Sequence, residues 1–477
     1  MTPVPRILKL SCLALVFFAL CSSSSFLTTA YARSRQAKTR ARGRSTSHSA
    51  RGKSAGRRIS TRRAEARRRR AEAARLARQR ALDKAMRNQV QSMIAKDDTT
   101  GEDADVRRVA VEALGNHAGT VVVMNPQTGQ VYSIVNQEWA VREGFKPCST
   151  IKLVTGLAGL NEKVINPTDT VSIFDTNHID LTKALAYSKN EYFQQVGGQV
   201  GFEKMVSYAR RLGLGEKTGI NSRNEFQGSL PVLKSGFALN RMSSHGDDFK
   251  VTAVQLATLV SAMANGGKLL APFVARASQD EARKPTVRRQ VNIDADTWHY
   301  MVPGMVGAVN YGSGRRAYDP AATVVGKTGT CIDNGTWVGL FTSYAPLADP
   351  RLAVVVIARG ADAHSHFPAA VAGRIYRDLN NRLGASGSLQ VTAASYSTES
   401  TASGDVVDDE ESEEAAAENG ISEGEKSTLT KAPRPLLRNQ SALGNSKLLK
   451  RVLLTVPKLA EQPVPRAHPR PRRVFEQ

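Results

Sequence analysis

Three short polar segments hold the residues able to do covalent chemistry. Ser149-Thr150-Ile151-Lys152 places a hydroxyl and an amine three residues apart, directly after Pro147 and Cys148. On a helix that spacing brings both side chains to one face, and the positive end of the helix dipole favours negative charge developing there. An amine beside a hydroxyl can activate a serine without histidine, by taking its proton as it attacks a carbonyl. Ser188-Lys189-Asn190 adds a second hydroxyl and an amide, and Lys327-Thr328-Gly329-Thr330 adds a second amine and two more hydroxyls. Ser-x-x-Lys by itself occurs often by chance; the three segments in this order are far more specific. The eight histidines have no metal-ligand spacing, so neither a metal nor a cofactor is expected.

The elements around these segments follow from periodicity. Residues 120–124 and 130–135 are β-branched runs separated by turn chemistry, which reads as a hairpin. Residues 322–331, 336–344 and 352–357 read as three more strands, joined by turns at Asn334-Gly335 and Asp349-Pro350. A last helix starts at Pro368 and repeats apolar side chains at Val371, Ile375, Leu379 and Leu383. Between the strand groups, helices are expected over 149–159, 182–196 and 202–212, and from Thr252. Thr252 forms a capping box with Gln255, and Gly266-Gly267 stops that helix. The expected fold class is α+β: a five-stranded antiparallel sheet flanked by helices, with a helical subdomain inserted in its middle.

On these segments the chain resembles the penicillin-recognising serine acyltransferases, the penicillin-binding proteins and β-lactamases, which share this motif trio. The resemblance extends to residues 119–133, 181–193, 213–220 and 251–267, and so covers nearly the whole region from 106 to 384. It implies that Ser149 attacks an amide carbonyl, Lys152 accepts its proton, and Ser188 relays a proton to the leaving nitrogen. Asn190 would hold Lys152 and the substrate amide. Lys327 would supply positive charge, while Thr328, Gly329 and Thr330 line the place of the substrate carboxylate. The backbone N–H groups of Ser149 and Thr330 would form the oxyanion hole. Some class A β-lactamases bridge the places held here by Cys148 and Cys331, so a disulfide between those two is expected. The function implied is a D-alanyl-D-alanine transpeptidase of peptidoglycan cross-linking, with stem peptides and β-lactams as its ligands. The alternatives are a β-lactamase, against which stands the lack of a convincing Glu-x-x-x-Asn deacylation motif, and a non-catalytic sensor of β-lactams or wall peptides.

Composition frames this domain. Arg6 and Lys9 precede an apolar run from 10 to 20, followed by Ala30-Tyr31-Ala32, the layout of an export signal over residues 1–32. Cleavage and retention as an inner-membrane anchor are both open, and either places the protein in the periplasm or outside the cytoplasm. The net charge of +23 sits mostly in residues 33–90, which hold 21 basic and 3 acidic residues. A globally basic nucleic-acid binder is thereby excluded, and a polycationic arm able to meet an anionic membrane or wall polymer is indicated. Residues 33–60 read as disordered and 61–105 as a charged helical linker; 385–477, acidic and then Pro- and Arg-rich, read as a disordered tail. Neither a glycosyltransferase module nor a pedestal domain fits in residues 33–105.

Overall fold

The computed structural model describes residues 50–383, except 168, 174–176, 277–282 and 365. The expected export signal over 1–32, residues 33–49 and the residues from 384 on, the expected tail included, lie outside the described residues. Helix α1 (Ala50–Ile94) starts within the segment expected to be disordered, because its Arg, Ala and Lys favour helix strongly enough to carry Gly52 and Gly56. Among the described residues no helix is long and apolar enough to cross a membrane.

The chain divides into two units between Leu82 and Asp83. In the first, the side chains of residues 64–82 are exposed. In the second, Val90 is fully buried, with Met86, Met93 and Ile94 packed on the same core. The compact domain therefore takes in the last part of α1 instead of starting at 106. The chain after α1 is fixed as well: Asp97 accepts the N–H groups of Asn136 and Gln137 at 2.8 Å each and pairs with Arg107 at 2.9 Å.

The elements that follow are α2 (Ala104–Leu114), β1 (Gly119–Met124), β2 (Gln130–Val135), a 3-10 turn at Cys148–Ile151 and α3 (Lys152–Asn161). Next come β3 (Val171–Ile173), β4 (Asn177–Ile179), α4 (Leu181–Ala186), α5 (Asn190–Val200), α6 (Phe202–Arg211), α7 (Gly236–His245) and α8 (Ala253–Ala264). The chain continues through β5 (Lys268–Leu270), β6 (Phe273–Val274), β7 (Val287–Gln290) and α9 (Ala295–Asn310). It closes with β8 (Val325–Asp333), β9 (Thr336–Ala345), β10 (Leu352–Arg359) and α10 (Phe367–Leu383).

The main sheet runs β6-β2-β1-β10-β9-β8. It has six strands, not the five expected, and is mostly rather than wholly antiparallel, because Phe273-Val274 pairs parallel to Gln130-Val131. A two-residue strand has no periodicity of its own; it forms because β2 offers an open edge. Strand β1 reads as an unbroken apolar run since both of its faces are covered. Val121 and Val123 pack with α2 and α10, whereas Val122 and Met124 join the core that holds α3, α5 and α8. The same split divides Val354 and Val356 from Ala353, Val355 and Ile357 on β10.

The helix expected over 182–196 is broken in two. Ser188 takes φ 55°, a left-handed value that no α-helix continues, and the break leaves Ser188 in the turn between α4 and α5. The capping box at Thr252 is present in full, with Thr252 N–H to Gln255 Oε1 at 3.0 Å and Gln255 N–H to Thr252 Oγ1 at 3.1 Å.

Candidate active site

The serine segment is a 3-10 turn, not the first turn of an α-helix. Pro147 leads into Cys148 at φ 48°, the turn closes with Thr150 N–H on the Pro147 carbonyl at 3.1 Å, and α3 starts at Lys152. In a 3-10 turn residues three apart eclipse one another, so the Ser-x-x-Lys spacing still stacks the two side chains.

Ser149, Lys152, Ser188, Asn190, Lys327, Thr328 and Thr330 are all buried. The structure brings the three segments to one point. Lys152 Nζ donates to the Ser188 carbonyl at 2.6 Å, to Ser188 Oγ at 3.1 Å and to Asn190 Oδ1 at 2.6 Å. Lys327 Nζ donates to the same Ser188 Oγ at 2.6 Å and to the Thr328 carbonyl at 2.9 Å. One hydroxyl thus lies between two buried amines, which share one hydrogen-bond network. Phe193 covers Lys152 from 5.7 Å. Ser149 Oγ donates to the Ser244 carbonyl at 3.4 Å, a long bond.

Strand β8 is the sheet's edge, and it lies against the serine turn because Gly329 has no side chain. A Cβ there would stand 3.1 Å from the Pro147 carbonyl oxygen, 3.2 Å from Thr150 Cγ2 and 3.3 Å from the Ser149 nitrogen. This close approach brings the β8 backbone beside the Ser149 amide, the layout that an oxyanion hole requires. Cys148 and Cys331 form a disulfide across the same contact, with Cα atoms 5.6 Å apart and a sequence separation of 183.

Sequence reasoning missed two participants. Ser313, after α9, has its hydroxyl 2.6 Å from Thr328 Oγ1 and its N–H on the Ala186 carbonyl at 3.1 Å, so it ties the Lys327 segment to the end of α4. Helix α7 supplies the Ser244 carbonyl beneath Ser149. Neither lies near a motif in sequence, and no local pattern marks them. A cavity of about 450 Å³ opens past the end of β8, lined by Lys146, Lys234, Phe237, Arg241, Lys250 and Asp333 among others.

The disulfide leads to a prediction. In the chain-entropy model a loop of this length contributes roughly 5 kcal/mol, so Cys148→Ser with Cys331→Ser should lower Tm by on the order of 10 °C. Scanning fluorimetry with and without reductant measures it, and an unchanged Tm in the double variant would rule out the bridge as a stabiliser.

The model of the penicillin-binding protein transpeptidase domain matches residues 119–381, more than half of the chain. Stage V sporulation protein D of Bacillus subtilis is 28% identical over 317 residues, covering 55% of this chain and 49% of that protein. The peptidoglycan D,D-transpeptidase MrdA of Acinetobacter baumannii is 25% identical over 347 residues, covering 55% and 52%. The chain therefore spans about half the length of these curated relatives. A D,D-transpeptidase domain of a peptidoglycan glycosyltransferase from Eggerthella lenta superposes with a TM-score of 0.51 at 21% identity, covering 58% of this chain and 81% of that one, which shows the shared fold. With the motif trio gathered at one buried point inside the matched region, the chain belongs to the penicillin-binding protein transpeptidase domain family.

Proposed function

We propose that the protein is a serine D-alanyl-D-alanine transpeptidase that cross-links peptidoglycan stem peptides through an acyl-enzyme at Ser149 and binds penicillin covalently at the same atom. The observation that carries this reading is the convergence of Lys152 and Lys327 on Ser188 Oγ, next to Ser149. Ser149 Oγ attacks the carbonyl between the two terminal D-alanines as its proton passes to the lone pair of Lys152 in its neutral form, which has two N–H groups left for the Ser188 and Asn190 oxygens. The N–H groups of Ser149 and Thr330 hold the tetrahedral oxyanion, each donor contributing about 3 to 4 kcal/mol to the transition state. Collapse expels D-alanine, whose nitrogen takes a proton through Ser188. The amine of a second stem peptide then attacks the acyl-enzyme carbonyl and gives up a proton to Lys152, and as the ester C–Oγ bond breaks that proton passes to Ser149 Oγ, so that the new amide forms and the serine hydroxyl is restored. Lys327, with the hydroxyls of Thr328 and Thr330, holds the terminal carboxylate of the donor, and Asn190 holds both Lys152 and the substrate amide.

Intact-mass analysis of the protein with a penicillin over time tests the reading. A stable single adduct supports a penicillin-binding enzyme; rapid return to the free mass would replace it with a β-lactamase. A stable adduct with no exchange of D-alanine onto an amine acceptor would point to a sensor instead.

We also propose that the protein works outside the cytoplasm and that its basic segment, including the exposed helix over 64–82, contacts an anionic membrane or wall polymer. Because Val90 is part of the core, the deletion that isolates this role is 33–82. That variant should acylate at the rate of the full chain and lose retention on isolated sacculi or anionic vesicles at low salt. Equal retention of both proteins would discard the tether.

A further inference from the structure

Cys148, directly before the nucleophile, holds a left-handed backbone at φ 48°, a conformation disfavoured for a residue with a side chain and kept only where its surroundings enforce it. The disulfide to β8 is one such hold. The end of α7 supplies a second. Gly246 packs so closely that a Cβ there would stand 2.6 Å from Pro147 Cγ and 3.2 Å from the Cys148 carbonyl oxygen. The carbonyls of Ser243 and Ser244 accept the hydroxyls of Thr155 at 2.6 Å and of Ser149 at 3.4 Å. Asp247, the next residue after Gly246, closes the arrangement: Oδ1 receives Lys146 Nζ at 2.7 Å and Oδ2 receives Arg241 Nε at 2.8 Å. Its carboxylate joins the residue just before Pro147 to the body of α7. Burial pushes the Asp247 carboxyl up, but Lys146 and Arg241 outweigh that and hold its pKa at about 2, so the link stays charged at neutral pH.

We propose that Asp247 is a positioning residue for acylation, bridging Lys146 to Arg241 so that the Cys148–Ser149 turn is held against α7 and Ser149 keeps its line of attack. It acts through Lys146 and the turn, not on the reacting atoms, and the proposal rests on the acyl-enzyme reading above. A nucleophile displaced by a fraction of an ångström loses rate without losing affinity, since non-covalent binding depends on the other side chains of the site.

Stopped-flow labelling of the full chain with a fluorescent penicillin separates the non-covalent Kd from the acylation rate constant. Asp247→Asn and Lys146→Met should each lower that rate constant about tenfold and move Kd by less than about twofold. The double variant should lose no more than either single one, because both cut the same link. Lys146→Arg, which keeps a cation, should recover most of the rate lost in Lys146→Met; this pair of variants decides the matter even where Asp247→Asn does not fold. An undiminished rate in Asp247→Asn, losses that multiply in the double variant, or a loss confined to Kd would each overturn the proposal. Absence of any Ser149 adduct in the unaltered chain would overturn the acyl-enzyme reading, and this proposal with it.

Discussion

Ser149→Ala should abolish covalent labelling by penicillin: its intact mass stays that of the free chain through an incubation that adds one acyl group to the unaltered protein. On the proposed acyl-enzyme reading, the bond to the opened lactam forms at Ser149 Oγ. Thr150, the adjacent hydroxyl, is turned away and committed to the Pro147 carbonyl at 2.6 Å. The fold should survive the change. The hydroxyl's bond to the Ser244 carbonyl is long at 3.4 Å, and the net loss of one neutral hydrogen bond costs about 0.5 to 1.5 kcal/mol. A melting curve close to that of the unaltered chain checks this, so that lost labelling reports chemistry and not unfolding. Labelling of Ser149→Ala at an undiminished rate would refute the assignment of the nucleophile.

The second large effect belongs to Lys152. Lys152→Ala should lower the acylation rate constant by roughly 10²- to 10⁴-fold, the range for removing a positioned proton acceptor, with little change in non-covalent binding. Its cost in stability should exceed that of Ser149→Ala. The Lys152 amine donates to the Ser188 carbonyl and to Asn190 Oδ1 at 2.6 Å each, and a buried acceptor that loses such a donor costs about 1 to 3 kcal/mol, whereas Ser188 Oγ keeps its bond from Lys327. Lys152→Met fills the volume without restoring a donor, so it separates the packing loss from the polar one. A rise in Kd with an unchanged acylation rate would make Lys152 a binding residue and send the search for the base elsewhere.

Much of the scaffold was legible from local pattern, for reasons that can be named. The Thr252 capping box and the Gly266-Gly267 stop each depend on atoms a few residues apart, so short-range chemistry suffices to place α8. The stripe of Val371, Ile375 and Leu379 packs as one face of α10 because 3.6-residue periodicity is intrinsic to the helix. Strands β1 and β10 are almost wholly apolar because both sheet faces are covered, while β9 was marked by the turns at its ends. The motif trio marked the candidate reactive side chains for a different reason: acyl transfer by a lysine-activated serine tolerates few substitutes for a hydroxyl, an amine and an amide.

What the sequence could not decide lies in contacts across long separations, where no periodicity constrains the partner. Ser188 Oγ meets Lys152 and Lys327 across 36 and 139 residues, and nothing in either segment alone specifies that one hydroxyl serves both amines. The left-handed turns at Cys148 and Ser188 are imposed from outside, since neither residue prefers that conformation on its own. Val90 reads as one more residue of a charged helix until the core closes over it. Asp247 and Ser313 carry no motif; only the folded chain puts one against Lys146 and Arg241 and the other against Thr328. Residue types and short spacings therefore determined which groups are candidates to react, while closure of the large loops between them decided how those groups are aimed, because aim is a property of backbone brought together in three dimensions.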